Sequence, residues 1–358
     1  MTLSYTYDPS HDRLSLTDSL STKGVISYSY DSDLRLTTLT QSFSSGGSGG
    51  LVTGPEIAFA YDSGGRLTSI ARTTGSSGST ALNTSFTYDN TDRLTTIIDQ
   101  VTNVSGGGSG GGSGGSTVDL ATFTYNYDSG GRVSSEFNST GTYTYNATYT
   151  YDSVNELTNA TATLDGNAAN TSYGYDANGN RNTTGYTVGV DNEITSGGSY
   201  TYSYDLAGNT TGQTQLSSGD VWSYSYDDRN RLTGVTERAS GGAILNQATY
   251  TYDALDRRIS LDDNGTQIWT VYDGHNPYAD FTGSGSLAMR YLDGGAIDQI
   301  FARTNSAGVT AWYLDDHLGS VRDLVSITSG GFTVLDHVDY DAYGNIILET
   351  SPSNGDRF

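Results

Sequence analysis

The chain has 358 residues, 34% of them hydrophobic and 16% charged, with a net charge of −23 and 28 tyrosines. So low an apolar content argues against two or three ordinary globular domains, which carry roughly 45–50% with glycine included. So many rigid, strand-favouring tyrosines argue equally against disorder. The acidity excludes nucleic acid and anionic membranes as partners. No apolar run approaches the ~20 residues of a membrane-spanning helix. Cysteine is absent, which excludes disulfides and thiolate metal sites. The basic residues are sixteen arginines and a single lysine, Lys23, a bias towards planar pairing with carboxylates and stacking on aromatic rings.

In chain order, the sequence opens inside a repeat, Tyr5-Thr6-Tyr7-Asp8. This leads us to expect a fragment, or a mature or trimmed form. The Tyr-Asp dyad then recurs twelve times, with its tyrosine at 7, 30, 61, 88, 127, 151, 175, 204, 226, 252, 272 and 340. The fuller unit is aromatic-x-Tyr-Asp-x-x-x-Arg-Leu-Thr, clearest at Phe59–Thr68, Phe86–Thr95 and Tyr224–Thr233. Aromatics two residues apart share one face of a strand. Asp, Asn and Gly fill a short turn, and Arg-Leu-Thr opens the returning strand. Each unit is therefore predicted to be a β-hairpin whose mortar is Tyr61, Asp62 and Arg66, Tyr88, Asp89 and Arg93, or Tyr226, Asp227 and Arg231. Since one hairpin is marginal alone, the units are expected to pair sideways and stack as modular neighbours.

Two Gly/Ser-rich stretches, residues 44–50 and 105–116, read as solvent loops between strands. Central copies degrade. Glu156 and Asn209 stand where arginine is expected, and Asn180-Arg181 reads as shifted by one. The predicted fold is all-β: repetitive antiparallel hairpins forming a spiralling, solenoid- or shell-like sheet. Residues 1–310 form the hairpin array, and 311–358 a distinct, truncated C-terminal region.

That C-terminal region carries a specific resemblance. The string WYLDDHLGSVRDL, Trp312–Leu324, followed by VDYDAYGNI, Val338–Ile346, together with the dyads, resembles the rearrangement-hotspot (RHS) or YD-repeat family. The resemblance covers essentially the whole chain, with Asp315, Asp316, His317, Gly319 and Arg322 as its signature. It implies a broad sheet spiralling into a hollow shell, and in the family such shells often enclose a C-terminal toxin polypeptide. Related members are surface or adhesion proteins. The family's self-cleaving aspartates lie beyond the matching region, so no protease residue is carried over and no enzymatic role is expected.

Other chemistry is weighed residue by residue. His317 beside Asp315 hints at acid–base or metal work, but its place in the signature favours a turn lock with Arg322. Asp176, Asn178 and Asn180 alternate like the opening of a calcium loop, yet Arg181 occupies the glycine position and no glutamate follows, so a turn is preferred to Ca2+ binding. No other cofactor is expected. Trp222, Trp269 and Trp312 offer a platform for cell-surface glycans, against the plainer reading that alternate aromatics face the sheet interior. Nine sequons, at Asn83, Asn103, Asn138, Asn146, Asn159, Asn170, Asn182, Asn209 and Asn264, are acceptor motifs for glycosylation, though a chain this rich in Asn, Ser and Thr generates them by chance. The expectation is an extracellular or cell-surface structural shell that encloses or displays cargo. The alternatives are a filament assembled through open strand edges and a fragment of a self-cleaving toxin-delivery precursor.

Overall fold

The structure, a computed structural model, describes residues 1–44, 51–74, 80–103, 116–294, 296, 299–328 and 331–354. Apart from Ser44 and Ser116, which belong to strands, the two Gly/Ser stretches lie outside the described residues. So does the side chain of Asn103.

Among the described residues the chain is all-β, with two one-turn 3-10 segments, Val190–Asn192 and Pro352–Asn354, and no α-helix. A 14-stranded sheet runs from Leu3–Tyr7 to Asn167–Ala168, with Thr171–Ser172 paired on Leu157–Leu164. A 16-stranded sheet runs from Tyr186–Val188 to Ile346–Glu349. With that one exception each strand is bonded to the strand before and after it in sequence. Such an order needs only short hairpin connections, which is what the regularly spaced Asp/Gly turns supply.

The turn chemistry explains the hairpin. In the Phe59 copy Tyr61 pairs with Leu67, with a bulge between Ala60 and Tyr61. The Gly65 N–H donates to Asp62 O at 3.0 Å and the Asp62 N–H to Arg66 O at 3.0 Å. A β-turn followed by one left-handed residue closes the loop. Gly65 takes that position at φ +83, whereas in the Tyr30 copy Leu34 is held there at φ +62, where its Cβ is sterically penalised.

The chain divides into two compact units, Met1–Thr148 with Ala162–Ala169 and Arg290–Phe358, and Tyr149–Thr161 with Asn170–Met289. In the first unit, strand after strand places one aliphatic side chain inward. Leu16, Ile26, Leu39, Ile57, Leu82 and Ile97 are fully buried, with Leu16 opposite Ile26 and Leu39 opposite Ile57. Each contributes about 1.5–3 kcal/mol by leaving water. The dyad tyrosines 30, 61, 88 and 127 are only half-buried, so the centre of this core is aliphatic to a greater degree than the tyrosine count implies. Strands Thr310–Asp315 and Val321–Thr328 of the same unit are buried on both faces, as the runs Ala311–Leu314 and Arg322–Ile327 show. Phe301 packs against Phe59 with ring centroids 5.4 Å apart, so the C-terminal strands of this unit cover its N-terminal sheet. In the second unit the strand Val221–Tyr226 alternates half-buried Trp222, Tyr224 and Tyr226 with exposed Ser223 and Ser225. Trp222 meets Tyr200 edge to face at 5.9 Å.

Candidate functional site

The repeat residues do bind one another. Asp62 Oδ1 accepts the N–H groups of Gly64 and Arg66 at 2.9 and 3.0 Å, and Oδ2 accepts Arg66 Nε at 2.7 Å. Asp89 and Arg93, and Asp227 and Arg231, repeat the geometry with Nε–Oδ2 distances of 2.7 Å. Hydrogen bonds from the Arg66 backbone and side chain hold the Asp62 carboxyl below its ordinary range. The Arg231 side chain and backbone draw Asp227 down to about 2. The guanidinium then reaches the next repeat: Arg66 lies 4.9 Å over the Tyr88 ring, Arg93 4.7 Å over Tyr127 and Arg231 4.9 Å over Tyr252. The next tyrosine answers backwards, Tyr61 O–H donating to Leu36 O at 2.9 Å, Tyr88 to Leu67 O at 2.8 Å and Tyr226 to Thr210 O at 2.9 Å. Each of these three arginines thus ties its own turn to the following strand pair.

Where arginine is missing, the turn survives with a weaker link. Asn209 Nδ2 bonds Asp205 at 2.8 Å and Asn230 at 3.0 Å. Asn180 takes the fourth position after Asp176, donating to it at 3.1 Å. The register there is therefore not shifted by one, and Arg181 is an added side chain held between the rings of Tyr173 and Tyr186 at 4.7 and 4.5 Å. Asp176 Oδ1 accepts the N–H groups of Asn178 and Asn180 at 2.8 and 3.0 Å, the arrangement of a turn. Among the described residues no group of three or more His, Asp or Glu side chains is placed to hold a metal ion. Trp312 is fully buried and Trp269 is 39% exposed, so the three tryptophans do not share one accessible platform. Among the sequons, Asn146, Asn170, Asn182 and Asn264 are exposed, Asn83, Asn159 and Asn209 half-buried, and Asn138 is buried.

The signature residues lie in the first unit, from an exposed turn at Gly319 to Arg322 in a buried polar layer. Asp315 ends its strand, and Asp316 caps the same turn as the dyads, its Oδ1 accepting Leu318 and Ser320 N–H at 2.9 and 3.1 Å, with Gly319 at φ +77. Arg322, nearly inaccessible, bonds Asp339, Asp316 at 3.5 Å and Val338 O at 2.9 Å, and lies 5.4 Å over Phe123. Buried Asn138, with its amide oxygen turned to the guanidinium, accepts from Arg322 at 3.3 Å. His317 lies 4.0 Å from the Tyr125 ring and receives no proton-sharing partner for Nδ1 among the described residues; burial holds its pKa down. Burial also pushes the Tyr125 phenol far up.

Two clusters that sequence reading missed complete the layer. Arg72 Nη1 donates to Thr84 Oγ1 at 2.5 Å, and the Thr84 hydroxyl donates in turn to Asp99 Oδ1 at 2.5 Å. His337, stacked 5.1 Å from Tyr143, sits between Asp323 at 2.9 Å and Asp339 at 3.2 Å. Burial opposes its charge, but hydrogen bonds to Asp323 and Asp339 outweigh this and hold it at about 9. Elsewhere in the unit Arg290 bonds Asp18 and Thr22 O at 3.1 and 2.6 Å. The legible signal was alternation: Arg72 two places after Ile70, and Asp99 between Ile97 and Val101, are polar residues on an inward period.

The chain matches the family model of the Teneurin YD-shell over residues 21–355. It belongs to this YD-shell family, whose repeats are those the geometry displays. Among solved structures, a Tc holotoxin pore of Photorhabdus luminescens with a mutated TccC3 aligns at a TM-score of 0.51 and 14% identity, over 98% of this chain and 18% of that one. A TcdB2–TccC3 crystal structure aligns at 0.38 and 12% identity, over 98% and 24%. The chain therefore spans under a fifth of the first and about a quarter of the second. No curated protein sequence matches it. Among the described residues no helix is long and apolar enough to cross a membrane.

Proposed function

We propose that this chain is wall material of an extracellular shell that encloses a polypeptide cargo. The observation that carries the reading is the strand order: consecutive neighbours in two sheets of 14 and 16 strands, built from one hairpin unit and belonging to the YD-shell family. Its repeated chemistry of Asp, Arg and Tyr is spent on joining repeat to repeat, which is what a wall requires and a reaction centre does not. The Tc holotoxin likeness in fold supports a role in toxin or effector packaging, and the net charge of −23 would keep such a wall soluble and unattractive to anionic surfaces. The signature residues serve, on this reading, as fasteners of the wall's C-terminal strands.

The test is proteinase K digestion of the natively purified protein, followed by denaturing mass spectrometry. A second polypeptide that survives digestion only while the shell is folded is the expected result. Digestion that leaves shell-derived peptides alone would remove the enclosing role.

A further inference from the structure

The polar layer of the first unit holds more negative than positive groups. Asp99 from strand Leu94–Asn103, Asp315 and Asp316 at the end of Thr310–Asp315, Asp323 from Val321–Thr328 and Asp339 from Gly331–Tyr340 bring five carboxyls. Arg72 from Leu67–Thr74, Arg322 and protonated His337 bring three cations, and Glu136 adds its negative field to Arg322. Two of the cations are already committed: Arg322 to Asp339 and Asp316, and His337 to Asp323 and Asp339. That leaves Arg72 facing both Asp99 and Asp315. One guanidinium compensates one carboxylate, and a second ionised carboxylate in a water-excluded layer is strongly disfavoured. Asp99 Oδ2, Asp315 Oδ1 and Arg72 Nε are all cut off from solvent and have no hydrogen-bond partner among the described residues. Proton binding at this spot is what the charge count demands.

We propose that Arg72, Thr84, Asp99 and Asp315 form a proton-held latch that fastens the C-terminal strands of the unit to its N-terminal sheet, closed while the two carboxyls are protonated and loosened as they ionise. The inference goes beyond the enclosing role and stands without it. Burial, opposed only in part by Arg72, raises Asp99 to about 6 and Asp315 to about 7. An exposed aspartate, as in the opened layer, titrates near 3.9. The closed form thus binds these protons more tightly than the open form. Its advantage is complete below about pH 4 and is lost as pH rises through 6 and 7. His337, titrating near 9, stays charged across this window.

Hydrogen exchange of the whole chain, corrected for the intrinsic pH dependence of exchange, tests this between pH 5 and 8. Protection of peptides covering 311–327 is expected to fall on the order of 10–100-fold from pH 5 to pH 8, while peptides of the second unit covering 221–252 change little. In the double variant Asp99→Asn/Asp315→Asn, whose amides do not titrate, the dependence should vanish. Asp315→Asn alone, which keeps the Arg72–Thr84–Asp99 bonds, is the second variant should the double one lose its β circular dichroism; it should reduce the fall at least about threefold. Flat protection in the wild type would overturn the latch, and so would an undiminished fall in a folded variant.

Discussion

Tyr88 illustrates how a single residue serves two repeats: its ring lies under Arg66 of the preceding unit, and its hydroxyl donates to Leu67 O at 2.8 Å. Tyr88→Phe keeps the ring and deletes only the donor, leaving a half-buried carbonyl unanswered. The expected loss is about 1 kcal/mol, seen as a lower midpoint in urea with an unchanged slope. No change in midpoint would mean that water replaces the hydroxyl at no cost. Asp62, Arg66 and Tyr88 were legible in the sequence because their spacing recurs in register. Of the buried layer only the inward period of Arg72 and Asp99 was legible, because both stand outside the repeat and each meets its partners only through strand pairing. Asp323, His337 and Asp339 did lie beside the signature, yet nothing in their spacing shows that His337 sits between two carboxyls.

At the scale of the element, the hairpin is a fixed turn geometry accepting different residues. The left-handed position is glycine at Gly65 and Gly131, asparagine or aspartate at Asn155, Asn230, Asp92 and Asp256, and leucine at Leu34. Only the last pays for its Cβ without a polar side chain to bond locally. Leu34 is also well exposed, so little packing opposes its removal. Leu34→Gly should therefore stabilise the chain by up to about 1 kcal/mol, the left-handed penalty of roughly 1–2 kcal/mol being offset in part by the greater freedom of glycine in the unfolded chain. A lower thermal midpoint for this variant would show that the leucine side chain makes a contact worth more than its strain. Hairpins and their turns could be read from sequence to this level of detail, since turn chemistry is local. The two-sided burial of Ala311–Leu314 could not, because it depends on which distant strands come to cover them.

For the whole molecule, sequential pairing makes the fold a sum of neighbours. This explains why the repeat with Asn209 in place of arginine persists within an otherwise regular sheet. The all-β class and the family were legible because twelve dyads and the C-terminal signature agree. The division into two sheets was not, since nothing marks the 169–186 region in sequence except a weakening of the pattern, and neither was the return of Arg290–Phe358 to the first compact unit. A wall of this kind must end in a sheet that folds back on itself or in edges that seek partners. In the first strand, Leu3–Tyr7, Tyr5 and Tyr7 are exposed and pairing is to Arg13–Asp18 alone among the described residues. The account is tested most directly by negative-stain electron microscopy of the purified protein across a concentration series. It predicts discrete hollow particles of constant size at every concentration. Regular fibres that lengthen with concentration would contradict it and assign the chain to edge-to-edge polymerisation instead.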